Sequence, residues 1–387
     1  MGLILTRSPF FVSSEGYGTN VQVGVSIDYL VDGVVTNVSY QLEFGTQKEI
    51  DVSPLIADYY SKEADVLHVE IEVDGSDNLT VLDYLATDGY GYYEDGYNLD
   101  LSTVLESNSF YAGSNDKVQF YKDGIATIPL LAPSTFEISS PTDARTTVKY
   151  LKNGVVVGVY LSLQDYKERV LSDDGIYEYS SCLADFLDSS PINGAIPVLE
   201  YEEIFSNVTQ KLDDRIAYFS VDLNGTDVDE IQLTRVASGN VKSLKVETIQ
   251  ECKYTPYKLR FRNRYGVLED LWFFKRTNES LQVERKDFNR VTFDSYKAGD
   301  LSRHSLKQYN VNGKESIELN TGWVCESFYE NIKQLMLSEE VYIVKNDVLL
   351  PLNITDSDFR YKTHVNDKVI NYSINADFAY QKINNIV

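Results

Sequence analysis

The strongest constraint on this chain is a two-residue alternation of apolar and polar side chains. It is plainest between Glu251 and Arg276, in the stretch ECKYTPYKLRFRNRYGVLEDLWFFKR. Tyr257, Leu259 and Phe261 alternate there with Lys258, Arg260 and Arg262. A side-chain period of two is that of a β-strand with one buried and one solvated face. Tyr265-Gly266 reads as a turn, and the unbroken apolar run Leu271, Trp272, Phe273 and Phe274 fits a strand buried on both faces. The stretch predicts a β-hairpin. Its apolar half belongs to a core. Its basic half, Lys258, Arg260, Arg262 and Arg264, forms a stripe on an outer face.

The same period recurs along the chain. Val21, Val23, Val25, Ile27 and Tyr29 alternate with small or polar residues, as do Val38, Tyr40, Leu42 and Phe44. Asp32-Gly33 lies between the two runs, which is the signature of a tight hairpin. Ser53-Pro54 then opens a short helix reaching about Tyr60, since Ser caps a helix and Pro suits its first turn. Leu67, Val69, Ile71 and Val73 read as a further strand, with His68 on its solvated face. Residues 1–110 are therefore expected to form an N-terminal β-sandwich domain with one short helix.

A second β-rich region is expected over residues 111–210. Val118 and Phe120 before Asp123-Gly124 predict a hairpin, and Val148 to Leu163 predict another around Asn153-Gly154. The long irregular excursion 164–210 has weak periodicity, with helical expectations at Asp165 to Arg169 and Tyr179 to Phe186. Residues 211–387 are expected to form a C-terminal β domain. Its strands are predicted near Ile216–Val221, Ile231–Val236, Val241–Ile249, Leu281–Val283, Val291–Phe293, Ser316–Leu319 and Ile370 to Phe378, with a hairpin of Val341–Val344 and Val348–Leu352 across Lys345–Asp347. One amphipathic helix, about 325–338, places Phe328, Ile332 and Leu335 on a single face. The fold class is thus mainly β, with multiple antiparallel β-sandwich domains and a few short helices. The phrase Tyr29-Leu-Val-Asp-Gly-Val-Val is echoed by Tyr150-Leu-Lys-Asn-Gly-Val-Val, and more loosely at Tyr121 to Gly124 and Tyr309 to Gly313.

Composition excludes several functions. The chain of 387 residues carries 35 Lys and Arg against 59 Asp and Glu, a formal charge of −24. Nucleic acid is not expected as a partner, because binding there depends on neutralising phosphates. No apolar run is long enough for a membrane anchor or a signal peptide. The three cysteines, Cys182, Cys252 and Cys325, form no CxxC pair, and no nucleotide-binding, hydrolase or metalloprotease motif occurs. No catalytic, metal or cofactor site is expected. Asp222, Asn224, Asp227 and Asp229 have a superficially calcium-like spacing but lie between two strands, where a polar turn accounts for them. The 29 tyrosines are unusual. Those of the loop TDGYGYYEDGYNLD, namely Tyr90, Tyr92, Tyr93 and Tyr97, are candidate interface anchors, because tyrosine offers a large contact area at low entropy cost. The basic stripe is the second candidate interface. Charge reversal at Arg260 and Arg262 is expected to impair assembly with the monomer left folded.

Several phrases together resemble virion structural proteins, of tail or baseplate type, from tailed phages infecting Bacteroidetes-like hosts. They are ILTRSPFFV, PLIADYY, DGYGYYEDG, the 251–276 stretch, LNTGWVCESFYENIKQLMLSEEVYI and YKTHVNDKVINYSINADFAYQKINNIV. The likeness covers both ends of the chain and little of residues 117–210. The resemblance implies a non-enzymatic tail, baseplate or tail-adaptor component, made in the host cytoplasm without a signal peptide and located in the virion. It further implies a homo-oligomer in the form of a ring that docks neighbouring tail or fibre proteins. A glycan-binding module using Trp272, Trp323 or loop tyrosines, and a polysaccharide depolymerase, are the alternatives.

Overall fold

The computed structural model describes residues 2–31, 34–60, 65–98, 111–121, 125–131, 145–163, 168–171, 177–180, 198–199, 216–222, 228–235, 241–289, 306–346, 348–358 and 369–383. These residues are mainly β, with two α-helices of eight and nine residues. None of the described helices is long and apolar enough to cross a membrane. The chain divides into two compact units, one of residues Met1–Gln250 with Arg262–Asp270, the other of Glu251–Phe261 with Leu271–Val387.

The first unit opens with β1 (Gly2–Leu5), β2 (Phe11–Ser13), β3 (Gln22–Val31), β4 (Val34–Glu43) and β5 (Glu49–Asp51). Helix α1 (Ser53–Tyr60), β6 (Asp65–Asp74) and β7 (Leu79–Thr87) follow. The alternating residues form the predicted β3–β4 hairpin, with Val31 opposite Val34. Five strands make one sheet in the order β1-β7-β6-β3-β4. Its apolar face carries Val23, Val25, Ile27, Val69, Ile71 and Val73, and it is covered by Ile56 and Tyr59 of α1 and by Val12 of the small β2–β5 ribbon. The polar face holds His68 between Asp28 (3.4 Å) and Asp83 (2.8 Å), so His68 faces outward as expected. Strands β1 and β7 have no counterpart in the sequence reading. They pair in parallel, Gly2 opposite Tyr84 through Leu5 opposite Thr87, a contact between distant segments that periodicity does not announce.

The middle of the chain contributes β8 (Lys117–Tyr121), β9 (Ile125–Leu131), β10 (Arg145–Lys152), β11 (Val155–Leu163), β12 (Glu168–Leu171) and β13 (Tyr177–Ser180). It continues with β14 (Val198–Leu199), β15 (Ile216–Asp222), β16 (Glu230–Arg235) and β17 (Val241–Ile249). The β10–β11 hairpin is as predicted. Asn153 and Gly154 both have positive φ, 49° and 76°, which is what a type I′ turn requires. The five-stranded sheet β11-β10-β16-β17-β8 and the three-stranded sheet β14-β15-β9 bury Phe120, Ile128, Tyr150, Ile231, Leu233 and Leu244 in one shared core.

Three expectations are corrected in this region. Strands β8 and β9 do not form a hairpin: β8 pairs in parallel with β17 and β9 pairs with β15, so the chain crosses between two sheets that share a core. The boundary expected at 210–211 falls within this unit, because β15, β16 and β17 complete its sheets. The described residues of the segments expected to be helical, Asp165 to Arg169 and Tyr179 to Phe186, are strand. Glu168–Leu171 and Tyr177–Ser180 pair as antiparallel strands, so cross-strand pairing overrides a weak local pattern, and the rest of both segments lies outside the described residues. Asp229, from the calcium-like spacing, accepts the Asn153 backbone N–H at 2.8 Å and so serves the neighbouring turn. Residues 223–227 are outside the described set, as are the expected turns Asp32-Gly33 and Asp123-Gly124 and the expected strand Val291–Phe293.

The second unit is built on a seven-stranded sheet. It comprises β18 (Tyr257–Arg262), β19 (Leu268–Phe273), β20 (Asn278–Asn289), β21 (Leu306–Cys325), β22 (Val341–Lys345), β23 (Val348–Ile354) and β24 (Val369–Phe378), in the order β19-β18-β22-β23-β24-β21-β20. Residues Arg262–Asp270 of the β18–β19 hairpin group with the first unit. The predicted alternation of β24 is realised, since Ile370, Tyr372, Ile374, Ala376 and Phe378 are all buried. They pack with Leu259, Phe261, Leu271 and Phe273 against Phe328 and helix α2 (Tyr329–Leu337). The predicted helical face is the one that is buried, with Phe328, Ile332 and Leu335 at 2, 1 and 0 % exposure. Tyr309 to Gly313, one of the two looser hairpin echoes, lies within strand β21, where the pairing with β20 shifts register, and is not a hairpin turn.

Truncating a leucine with no exposed surface removes its apolar transfer energy and leaves a cavity. Leu335→Ala is expected to lower the stability of the second unit by about 2–5 kcal/mol in urea unfolding with the fold retained. A change under about 0.5 kcal/mol, the size of an ordinary surface substitution, would contradict the placement of α2 on this core.

Candidate functional site

Two constellations stand out in the first unit, and both involve residues of the 251–276 stretch. The first is the hairpin tip at Arg262–Asp270. Val267, with Tyr265 beside it, packs on Leu3, Leu5, Leu85 and Ala112, so β1 and β7 are covered on their second face. Asn263, 1 % exposed, shapes the turn. Its Oδ1 accepts the N–H groups of Tyr265 (3.0 Å) and Val267 (3.4 Å), while its Nδ2 donates to the Ala112 carbonyl (2.5 Å) and to Glu269 (3.0 Å). Gly266 adopts φ +78°, and a Cβ there would lie 2.8 Å from the Cβ of Thr87 and 2.9 Å from the Asp88 nitrogen. Only glycine meets both demands.

Glu269 is the chemically unusual member. Its Oε2 accepts the backbone N–H (3.0 Å) and hydroxyl (2.5 Å) of Ser114 as well as Asn263 Nδ2. Burial pushes its carboxyl up to about 7, more than these donors pull it down. Tyr111, also buried, is raised well above the ordinary phenol value, first by burial and then by the charge of Glu269. In the second unit, Glu251 shows the opposite shift. The hydrogen bond from Lys275 Nζ (2.5 Å) and those from the Lys253 and Tyr254 N–H groups hold it down at about 2.

The second constellation is the loop after β7. Arg264 reaches across to it from the hairpin tip: its Nη2 lies 2.5 Å from Asp95 Oδ2 and its guanidinium stands 4.4 Å over the Tyr92 ring. The Tyr90 N–H donates to the Arg264 carbonyl (2.8 Å), and the Gly91 N–H donates to Ser8 Oγ (2.7 Å). Asp95 also accepts the Tyr92 N–H at 2.9 Å, closing a 3₁₀ turn at Tyr93–Asp95. Asn98 pairs through both side-chain atoms with the backbone of Phe11, at 2.6 Å each. Tyr93 and Tyr97 remain in solvent, 91 and 61 % exposed. A loop pinned at four places therefore presents two tyrosines in a fixed setting.

The predicted interface residues thus separate. Tyr93 and Tyr97 face out, whereas Tyr90 and Tyr92 are half-buried. The basic stripe is not an outward face. Arg260 is 8 % exposed, Arg264 is engaged with Asp95 and Tyr92, Arg262 lies 3.7 Å from Asp88 and donates to the Gly266 carbonyl, and Lys258 stands 5.9 Å from the Trp272 ring centroid. Charge reversal at Arg260 and Arg262 is therefore expected to damage the fold, not to spare it. The alternation did place these cations opposite the core residues. What it missed is that the second face of the strand is covered as well. Asn263, Glu269, Ser114 and Tyr111 were not singled out, because Ser114 lies 155 residues from Glu269 in the chain and no local pattern links them. No protein-family model matches the sequence, and neither does any curated protein.

A carboxyl group whose folded-state value stands above the ordinary 4.5 favours the folded state most when protonated in both states. That contribution is complete below about 4.5 and is lost as pH rises towards about 7. Wild-type stability is expected to fall across this window relative to Glu269→Gln, which stays neutral. Parallel stability-versus-pH curves for the two proteins in urea unfolding would contradict the assignment.

Proposed function

We propose that this chain is a non-enzymatic structural protein of a phage virion, a component of the tail, baseplate or tail adaptor that self-assembles and docks neighbouring tail or fibre proteins. The resemblance of several phrases to such virion proteins suggests the setting. The observation that carries the docking role is the pinned loop with Tyr93 and Tyr97 in solvent. Ordering an interface loop on binding opposes association, and a loop already held by Arg264, Ser8 and Phe11 avoids that penalty. Exposed tyrosines on a rigid support are the residues that anchor protein interfaces. Neither ring belongs to the core, and Tyr97 makes an edge contact with Phe11 at 5.2 Å, so the double variant Tyr93→Ser/Tyr97→Ser is expected to stay folded and to melt close to wild type. It is expected to lose at least about tenfold in affinity for its virion neighbours, the loss of a hot-spot contact worth more than 1.4 kcal/mol. Incorporation into particles at the wild-type level would remove the loop from the docking surface. Absence of the wild-type chain from purified particles would overturn the virion reading itself.

A second reading has one observation in its favour. Trp272 is buried at 8 %, which takes it out of any sugar platform, but Trp323 is 65 % exposed on β21 opposite Asn371. The neighbouring pair, Asn320 and Ser373, is hydrogen-bonded at 3.1 Å on the same strands. An exposed indole beside amide and hydroxyl groups suits the apolar face and hydroxyls of a sugar. On this reading host glycans quench the tryptophan fluorescence of the wild type, and Trp323→Ala abolishes binding seen on a glycan array. An array without hits for the wild type would dispose of it.

A further inference from the structure

The loop after β7 is held in two ways. Its ends are tied to the segment between β1 and β2: the Gly91 N–H donates to Ser8 Oγ (2.7 Å), and Asn98 pairs with the Phe11 backbone. Its middle leans on the hairpin tip. Arg264 reaches Asp95 (2.5 Å) and the Tyr92 ring (4.4 Å), and the Arg264 carbonyl accepts the Tyr90 N–H. The backbones are close as well, since a Cβ on Gly89 would overlap the Arg264 carbonyl oxygen and lie 3.0 Å from the Gly266 nitrogen. Withdrawal of the tip therefore takes away the support of the 3₁₀ turn that carries Tyr93, while the ties at Ser8 and Phe11 stay in place.

The tip is in turn set by Glu269, 6 % exposed. Its Oε2 collects the N–H and hydroxyl of Ser114 and the Nδ2 of Asn263, and Asn263 shapes the turn to which Arg264 belongs. Glu269 is the second residue of β19, directly after that turn. The smallest motion that returns its carboxyl to water is thus withdrawal of the tip with the sheets intact, a local opening of the kind that costs less than global unfolding. Burial disfavours the ionised carboxylate and supplies the drive for that motion.

The titratable and charged groups around Glu269 come from three places. Its own strand supplies Asp270. The turn supplies Arg262, Arg264 and Tyr265, the two arginines facing Asp88 and Asp95. The segment that carries Ser114 supplies Tyr111, Asp116 and Lys117, the last two paired with Lys242 (2.7 Å) and Glu247 (2.9 Å). None of these is a histidine, the side chain that ordinarily titrates near neutrality. Tyr111, raised well above the ordinary phenol value by burial, stays neutral there.

We propose that Glu269 is a pH-operated latch for the tyrosine loop: loss of its proton releases the hairpin tip, and release leaves the loop tied at its ends with Tyr93 unsupported. The closed tip is favoured fully below about 4.5, and that preference is lost as pH rises towards about 7. The loop is accordingly pre-organised in mild acid and loose in mild alkali. This rests on the docking role proposed for the loop and adds its regulation, because a loosened loop must be ordered again on binding.

Hydrogen exchange of the purified full chain tests the latch between pH 5.5 and 8, read by mass spectrometry on peptides covering 90–98 and 262–270. Rates are divided by the intrinsic exchange rate at each pH. Protection of both peptides is expected to fall at least tenfold in the wild type and to stay level in Glu269→Gln. Ser114→Ala removes a hydroxyl that pulls the carboxyl down, so its fall is expected to continue to higher pH than that of the wild type. That variant keeps the test decisive should Glu269→Gln fail to fold. Protection that stays level in the wild type, that falls equally in Glu269→Gln, that ends at the same pH in Ser114→Ala, or that falls in the tip with the loop unchanged would each overturn the latch. The measurement uses the chain alone. A failed latch therefore leaves the docking role standing, and a docking role refuted by the Tyr93/Tyr97 variant leaves the latch standing.

Discussion

The first unit depends on a carboxyl group taken out of water. Glu269 is buried in a strand whose other buried residues, Leu268, Leu271, Trp272 and Phe273, are apolar, and its oxygen gathers Ser114 and Asn263 from segments that have no local reason to meet. Burying such a group without donors is unfavourable by several kcal/mol, so its donors are obligatory. Asn263 in turn holds the Ala112 carbonyl and two N–H groups of the turn. The position of Val267 against Leu3, Leu5 and Leu85 follows from that turn, and so does the place of Arg264, which pins the tyrosine loop. One buried polar network therefore sets both a small core and the attitude of a surface loop some 170 residues earlier in the chain.

Charge is distributed for different purposes along this acidic chain. Cations at Arg262, Arg264 and Lys275 are used internally, each beside a carboxylate of its own unit, and the shifts of Glu251 and Glu269 show how far burial and pairing pull apart two groups of one chemical kind. Three cations of strands β20 and β21 are different. Arg285, Lys286 and Lys307 stand on exposed strand positions with aromatic and aliphatic neighbours. The same residue types thus act as structural counter-charges in one place and stand exposed on a strand in another. Burial makes the distinction; composition does not.

Much of the secondary structure was legible because alternation and turn chemistry are local. The β3–β4 and β10–β11 hairpins, α1, α2, the β22–β23 hairpin and β24 all follow from patterns within about a dozen residues. The candidate site was half legible. A Tyr-rich loop and a basic hairpin could each be picked out, but that Arg264 lies over Tyr92 is a fact about two segments far apart in the chain. The parallel pairs β1–β7 and β8–β17 were missed for the same reason, since parallel strands are joined by long connections that leave no turn signature.

By itself the sequence determined a mainly β protein, its tight hairpins and the face that each amphipathic element turns to a core, because those depend on side-chain period and on backbone conformations only a few residues adopt. Tertiary structure alone decided which strands share a sheet, that the second face of the 251–276 hairpin is covered too, and that Glu269 is buried while Tyr93 is not. Burial is a property of what arrives from elsewhere in the chain. A two-residue period says that two faces differ, and it is silent on whether the polar one meets water or another layer of protein.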